Sequence, residues 1–162
     1  MDLSTSNSEM TECQNGLLSY WNSICREGAI PSRRALNPAQ LGVALAHTSL
    51  VEKVNDTFRF RLTGSRIQAV FGQEAQDRLI DGIDANTAEA GSASMELALE
   101  TKRPVCGSRK VGARWHCWLR VPLLDDAGDC TLVLCLDEFP ARKPSPFRQA
   151  DLQGDMVEQF VA

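Results

Sequence analysis

The stretch from residue 58 to residue 67 constrains the fold most, because apolar and polar side chains alternate strictly until a glycine interrupts them. The apolar members are predicted to share one face of a strand, namely Phe58, Phe60 and Leu62. The polar members then share the opposite face: Arg59, Arg61 and Thr63. Gly64 is expected to permit a backbone reversal into a short helix that ends near Phe71. The stretch therefore predicts a strand near the start of a small antiparallel sheet.

Four more strands are predicted around this one. The strand Thr48–Val54 precedes it, and Asn55-Asp56 between the two suits a tight hairpin. The other three strands are predicted at about Val105–Lys110, Arg114–Leu124 and Cys130–Glu138, with a turn at 125–129.

Three helices are predicted in addition. The first runs from about Thr11 to Glu27, where Thr11 and Gln14 fit a capping box and Gly28 supplies the stop. It carries an apolar stripe formed by Leu17, Leu18, Trp21, Ile24 and Cys25. The second begins at Asn37-Pro38 and ends near Leu45, and the third spans about 87–102.

The element order predicts an α+β domain, with a five-stranded antiparallel sheet, helices on one face and an extra N-terminal helix. We expect the helices on the face whose side chains need burial, namely Leu119, Val121, Leu132 and Leu134. Residues 1–10 are predicted to be disordered and 11–139 to form the domain. Residues 140–162 are predicted to be a proline-containing linker and a short C-terminal helix.

Composition excludes several classes of function. A net charge of −4 gives no reason to expect nucleic-acid binding, and no apolar run approaches the roughly 20 residues that span a bilayer. The first ten residues do not resemble a signal peptide, so a cytoplasmic location is expected. The six cysteines contain no C-x-x-C pair, so reduced thiols are expected rather than metal ligands.

Several short motifs resemble those of the PAS domains, in particular a bacterial group of short, stand-alone proteins. They are Tyr20-Trp21, Pro31-Ser32-Arg33, Asn37-Pro38, Arg61-Leu62-Thr63-Gly64-Ser65 and Phe71-Gly72. The resemblance covers about residues 16–139 and implies a PAS-like fold. The motif residues are predicted to have structural roles: Trp21, Pro31, Arg33, Pro38, Arg61, Gly64 and Gly72.

The resemblance also implies a sensory or interaction module in bacterial signalling, often dimeric through its N-terminal helix and outer sheet face. We therefore expect a homodimer and an unidentified signalling partner. The candidate partner interface consists of Leu17, Trp21, His116, Trp118 and Arg120, because alternation places the last three together on one strand face. The alternative is that Trp118 packs under the chain's own N-terminal helix.

No cofactor is expected. Cys25-Arg26 resembles the reactive-cysteine motif of flavin photosensors only superficially, because it lies on the N-terminal helix and Glu27 replaces a phenylalanine. A haem sensor usually takes its axial imidazole from the helix before the third strand, whereas His47 and His116 both lie outside 87–102.

The charged residues offer both structural and chemical roles. Arg61 is expected to form an ion pair that ties its strand to the Pro31–Arg33 segment, rather than to bind an anionic ligand. Three acids remain candidates for a general base in a cone-shaped lyase or isomerase: Asp81, Asp84 and Asp137.

The favoured function is a non-enzymatic regulatory domain that acts by protein contact, with a small ligand inside the fold as an option. The alternatives are a small-ligand sensor without a fixed protein partner and the lyase or isomerase.

Overall fold

The computed structural model describes residues 10–71, 77–80, 85–144 and 157–160 of the 162-residue chain. The elements, in chain order, are helix α1 (Glu12–Ile24), two 3-10 segments (Arg33–Ala35 and Pro38–His47), strands β1 (Thr48–Val54) and β2 (Thr57–Thr63), helices α2 (Ser65–Phe71) and α3 (Ala85–Thr101), and strands β3 (Val105–Val111), β4 (Arg114–Leu123), β5 (Leu132–Glu138) and β6 (Val157–Phe160).

The sheet has the strand order β2-β1-β5-β4-β3-β6. The first five strands of this order pair antiparallel, as predicted, whereas β6 pairs parallel with β3. The sequence predicts a short C-terminal helix, and this is wrong at residues 157–160 because Val157–Phe160 form β6. The predicted disordered segment 1–10 lies outside the described residues except for Met10, which is buried.

Helix α1 begins with the predicted capping box. The Thr11 hydroxyl accepts a hydrogen bond from the Gln14 backbone N–H at 3.0 Å, and Gln14 Oε1 accepts one from the Thr11 N–H at 2.8 Å. The helix ends at Ile24, three residues before the predicted end at Glu27. The second predicted helix is instead a 3-10 run that reaches His47 and is broken at Gly42.

Helices cover both faces of the sheet, and the core therefore has two parts. On the first face, which we call the α1 face, three residues of α1 (Leu17, Leu18 and Trp21) pack against buried leucines and valines of the strands. The four strand residues expected to need burial lie on this face: Leu119, Val121, Leu132 and Leu134. They are buried as predicted, but α1 covers them rather than the helices inserted between β2 and β3.

The opposite face, which we call the α3 face, is covered by α3. Met95 and Leu99 of α3 pack there against Val51, Phe58 and Phe60. The remaining members of this cluster are Ile80, Val133 and Cys135. The two apolar clusters thus lie on opposite sides of one sheet, because alternate residues of each strand point to opposite faces.

A β-bulge breaks the strict alternation predicted for β2. Leu50 of β1 pairs with Leu62, but its neighbour Val51 pairs with Phe60, so Arg61 is the additional residue. Leu62 therefore joins the α1 face and is 56% exposed, whereas Phe58 and Phe60 are buried on the α3 face. The prediction that all three share one face is wrong for this reason.

Gly64 is required by a close backbone approach. Its φ angle is not left-handed, so the turn does not need glycine for conformational freedom. A Cβ at this position would instead lie 2.5 Å from the carbonyl oxygens of both Leu45 and Ala46. The Gly64 N–H also donates to the Thr48 carbonyl oxygen at 2.8 Å, which fixes this approach.

We therefore expect Gly64→Ala to lower the free energy of unfolding by about 1–3 kcal/mol, as overpacking does in other cores. The matched control is Gly16→Ala on the exposed side of α1, where a Cβ meets nothing within 4 Å. This control should raise the free energy of unfolding by roughly 0.5–1 kcal/mol, because alanine favours the helix. Urea denaturation measures both, and equal effects of the two substitutions would contradict the close-approach explanation.

Candidate functional site

The most heavily charged buried site lies on the α3 face, where β4 meets β5. Arg120 is 2% exposed and forms a bidentate pair with Asp137, which is 5% exposed. Arg120 Nη1 donates to Asp137 Oδ2 at 3.0 Å, and Nη2 donates to Oδ1 at 2.8 Å. This paired geometry is the strongest form of arginine–carboxylate contact.

Two further side chains complete the site. His116 Nε2 lies 2.7 Å from Asp137 Oδ1, and its ring stacks on Phe139 with centroids 4.7 Å apart. Arg120 Nε donates to Ser94 Oγ of α3 at 3.0 Å, and Ser94 in turn donates to the Gly91 carbonyl oxygen at 2.8 Å. The site therefore connects α3 to the two central strands through hydrogen bonds. We refer to Ser94, His116, Arg120 and Asp137 as the buried polar cluster.

Electrostatics keep the Arg120–Asp137 pair ionised. Burial alone would raise the pKa of Asp137, but the Arg120 charge and the His116 hydrogen bond hold this pKa well below its usual range. Burial would likewise lower the pKa of Arg120, and the Asp137 carboxylate reverses that effect so that the pKa is raised. The pair thus stays charged around neutral pH, and each charge neutralises the other.

This arrangement suits a structural role better than proton transfer. A general base works best when its pKa lies near the operating pH, and the pKa of Asp137 is shifted in the opposite direction. Burial also raises the pKa of the Cys117 and Cys135 thiols to about 12, so neither supplies a thiolate nucleophile at neutral pH. The other two proposed bases, Asp81 and Asp84, lie outside the described residues.

The five residues of the candidate partner interface are all buried within the chain itself, between 1% and 7% exposed: Leu17, Trp21, His116, Trp118 and Arg120. They cannot contact a partner in this arrangement, so this prediction is wrong. The physical reason is that Leu17 and Trp21 lie on the side of α1 that packs against the sheet. The three β4 residues lie on the α3 face, within the covered part of the sheet.

The alternative prediction, that Trp118 packs under the N-terminal helix, holds only for its backbone. Gln14 Nε2 of α1 donates to the Trp118 carbonyl oxygen at 2.8 Å. The ring itself lies 5.1 Å from the His116 ring, and Trp118 is paired with Asp137 in β5. Trp118 therefore points to the α3 face, away from α1.

Three other family-motif residues hold the N-terminal segment against the sheet. Trp21 Nε1 donates to the Pro122 carbonyl oxygen at 3.0 Å. The Leu124 N–H donates to the Pro31 carbonyl oxygen at 3.0 Å, and the Arg33 N–H donates to the Leu124 carbonyl oxygen at 2.9 Å. These contacts are main-chain or indole bonds, so they agree with a structural role.

The remaining motif residues lie in two places. Pro38 opens the longer 3-10 segment behind Asn37, whose side chain caps it. Arg61 Nε pairs with Glu52 Oε2 of β1 at 2.6 Å, and Asp77 Oδ1 lies 3.8 Å from its Nη1. Arg61 thus forms the predicted ion pair, but the expected link to the Pro31–Arg33 segment is wrong because both acids lie elsewhere. Gly72 is outside the described residues.

A concave apolar groove lies on the α1 face, between the 3-10 segments and the start of the sheet. Its volume is about 570 Å³. Its walls include Leu36, Leu41 and Val43 on one side and Leu62 and Leu134 on the other. No local sequence pattern predicts this groove, because it depends on the bulge at Arg61 and the break at Gly42.

Both histidines and all six cysteines lie within the described ranges. No three or more His, Cys, Asp or Glu side chains there lie close enough together to hold a metal ion. His116 is in the buried polar cluster and His47 ends the longer 3-10 segment. Cys25 caps α1, and its thiol donates to the Trp21 carbonyl oxygen at 3.2 Å. Within the same ranges, no helix is both long enough and apolar enough to cross a membrane.

The antiparallel β2-β1-β5-β4-β3 arrangement, with helices inserted between β2 and β3, defines a PAS-like α+β domain. The family model for the PAS domain matches residues 10–106, more than half of the chain. The protein therefore belongs to the PAS domain family.

Solved structures with similar folds are distant in sequence. A sensory box sensor histidine kinase from Vibrio cholerae is 14% identical with a TM-score of 0.46, and the match covers 57% of this chain and 81% of that one. The VqmA–ligand–DNA complex of the same species is 13% identical with a TM-score of 0.46, covering 64% of this chain and 51% of that one. A PAS domain from Colwellia psychrerythraea is 11% identical with a TM-score of 0.42, covering 60% of this chain and 90% of that one. This chain therefore spans about half of the VqmA chain. No curated protein matches the sequence significantly.

Neutralising Asp137 should be strongly destabilising, because Arg120 then remains as a buried, uncompensated charge. We expect Asp137→Asn to lower the free energy of unfolding by about 3–5 kcal/mol. The control is Glu52→Gln, which removes the acid of the partly exposed Arg61 pair and should change the free energy of unfolding by about 1 kcal/mol or less. Urea denaturation distinguishes the two, and similar losses would show that the buried pair has no special weight.

The buried pair should also make stability depend on acid pH. The pKa of Asp137 is lower in the folded than in the unfolded state, so its contribution is complete above the unfolded pKa of about 4. It is lost as the pH falls below about 4 toward the folded pKa. Unfolding free energies measured at pH 7, 5, 4 and 3 should fall most steeply below pH 4. The double variant Arg120→Met with Asp137→Leu should show a shallower fall, and an unchanged slope would contradict this assignment.

Proposed function

We propose that this protein is a non-enzymatic sensory or regulatory PAS module of cytoplasmic bacterial signalling, which acts through protein contact as a homodimer and on a signalling partner. The observation that carries the non-enzymatic part is the pairing of Asp137 with Arg120. The most enclosed carboxylate in the described part of the chain is held ionised and fully bonded, which suits structural support rather than catalysis.

The rival reading as a lyase or isomerase requires an aspartate with a raised pKa in a pocket. Asp137 has a lowered pKa and bonds to Arg120 and His116. The groove on the α1 face has no carboxylate among its described lining residues. These observations favour the regulatory reading over the enzyme.

The proposed contact surface is the outer side of α1. Since α1 covers the α1 face of the sheet with Leu17 and Trp21, its opposite side is exposed to solvent at Glu12, Gly16 and Ser19. A second copy of α1 can pack against that side without disturbing the core. This surface also agrees with the dimer mode that the resemblance to PAS proteins implies.

A charge on the outer side of α1 should therefore weaken self-association. We expect Ser19→Arg to raise the dimer dissociation constant at least about tenfold, because an arginine would be desolvated opposite its own copy. The measurement is light scattering coupled to size exclusion, across a concentration series of the full chain.

The matched control is Ala93→Arg, which adds the same charge at an exposed position of α3 on the other side of the sheet. Its dissociation constant should stay within about twofold of the wild-type value. A wild-type chain that is monomeric throughout the series would contradict the homodimer. Equal weakening by both variants would contradict the α1 surface.

A further inference from the structure

The groove on the α1 face has a size and shape suited to a small molecule. Its volume of about 570 Å³ falls within the roughly 300–1,000 Å³ typical of small-molecule sites. The floor is formed by strand residues such as Leu50 and Leu134, and the 3-10 segment supplies the wall through Leu41 and Leu45. The groove lies on the opposite side of the sheet from α3 and the buried polar cluster.

The lining specifies the chemistry of an occupant. No Asp, Glu, Lys, Arg or His is found among the described residues that line the groove. Two of its hydroxyls are already bonded: Thr48 Oγ1 donates to the Leu45 carbonyl oxygen at 2.8 Å, and Thr63 Oγ1 accepts from Gln68 Nε2 at 3.2 Å. An ionised ligand would lose its hydration there without compensation, so an uncharged and largely apolar molecule fits best.

The groove also concentrates exposed apolar side chains. Val43 is 84% exposed, Leu62 56% and Leu45 42%, and all three line it. The other large exposed apolar residues in the described part of the chain are Leu79 and Val111, which do not line it. A cluster of this kind around a concavity is typical of a binding site rather than of scattered surface residues.

Two departures from regular backbone geometry create the groove. Gly42 has φ 54° and ψ −130°, a conformation that interrupts the longer 3-10 segment and is accessible almost only to glycine. The bulge at Arg61 turns Leu62 from the α3 face to the α1 face. Without either irregularity the wall or the rim would be arranged differently, and such features are often found at functional sites.

We propose that the groove binds a small, uncharged, largely apolar molecule, which gives the proposed sensory module a ligand site on the α1 face. This inference rests on the proposed function only for the regulatory effect of the ligand, and binding itself does not depend on it. A second copy of the chain is the less suitable occupant, because the apolar surface that lines the groove is far below the roughly 800 Å² per partner of a stable dimer.

The test is a fluorescence titration with N-phenyl-1-naphthylamine, an uncharged apolar probe whose emission rises in apolar sites. We expect saturable binding to the full chain. Leu62→Glu and Val43→Glu place a charge at the exposed rim and should each weaken the affinity at least about tenfold. The matched control is Val111→Glu, an exposed apolar residue at the end of β3, whose affinity should stay within about twofold of wild type.

Backbone amide NMR locates the probe. Signals of residues 41–50 and 62–65 should shift on titration, whereas those of Ser94, Met95 and Leu99 in α3, on the other side of the sheet, should not. Shifts confined to the α3 face would overturn the proposal. So would a folded wild-type chain that binds no probe, or equal binding by all three variants.

Light scattering separates this proposal from the dimer. If Leu62→Glu changes the oligomeric state but not the probe affinity, the groove is a protein interface and the ligand proposal fails. The Ser19→Arg measurement stands independently, because that position lies outside the groove. Either proposal can therefore fail without the other.

Discussion

The fold depends on the burial of both faces of β4 and β5. These two strands lie in the interior of the sheet order, and every residue from His116 to Leu123 is buried. One face is apolar and requires a cover, which α1 supplies through Leu17, Leu18 and Trp21. The other face carries charged side chains and requires partners, which Arg120, Asp137 and Ser94 supply to one another. Helix α1 is therefore a part of the core, because its removal would expose the leucines and valines of β4 and β5 to water.

The second face explains why the site is better suited to support than to chemistry. A buried ion pair offers little net stabilisation compared with apolar packing, since both charges lose their hydration. The pair instead fixes relative positions. The bidentate contact holds β4 against β5, and the hydrogen bond from Arg120 to Ser94 holds α3 at one position over these strands. An apolar contact could slide along the sheet, but movement of α3 here would break the bond to Ser94 and leave the buried Arg120 Nε without that hydrogen-bond partner. The cluster thus specifies where α3 sits.

Much of the fold could be predicted from the sequence, because periodicity and caps are local. The capping box at Thr11, the hairpin at Asn55-Asp56 and the five antiparallel strands follow from such patterns. Pairing across the sheet is not local, so the sequence alone predicts an interface role for Arg120 and possible catalysis for Asp137, whereas the two side chains bond to each other. The bulge at Arg61 has no sequence signal either, because its strand alternates without interruption. The groove depends on that bulge and on Gly42, and it could not be predicted for this reason.

A hydrogen bond connects α1 to the start of the segment that forms the groove wall. The Tyr20 hydroxyl of α1 accepts a hydrogen bond from the Asn37 N–H at 2.7 Å, directly before the 3-10 segment that forms the groove wall. A ligand shifts the position of that segment only if it binds one arrangement more tightly than another. Gly42 divides the segment into two parts, so the part after it can adjust while Asn37 remains bonded to α1. Coupling from the groove to the outer side of α1 therefore requires movement of the part before Gly42, because Leu41 in this part both lines the groove and packs against the apolar cluster that contains α1.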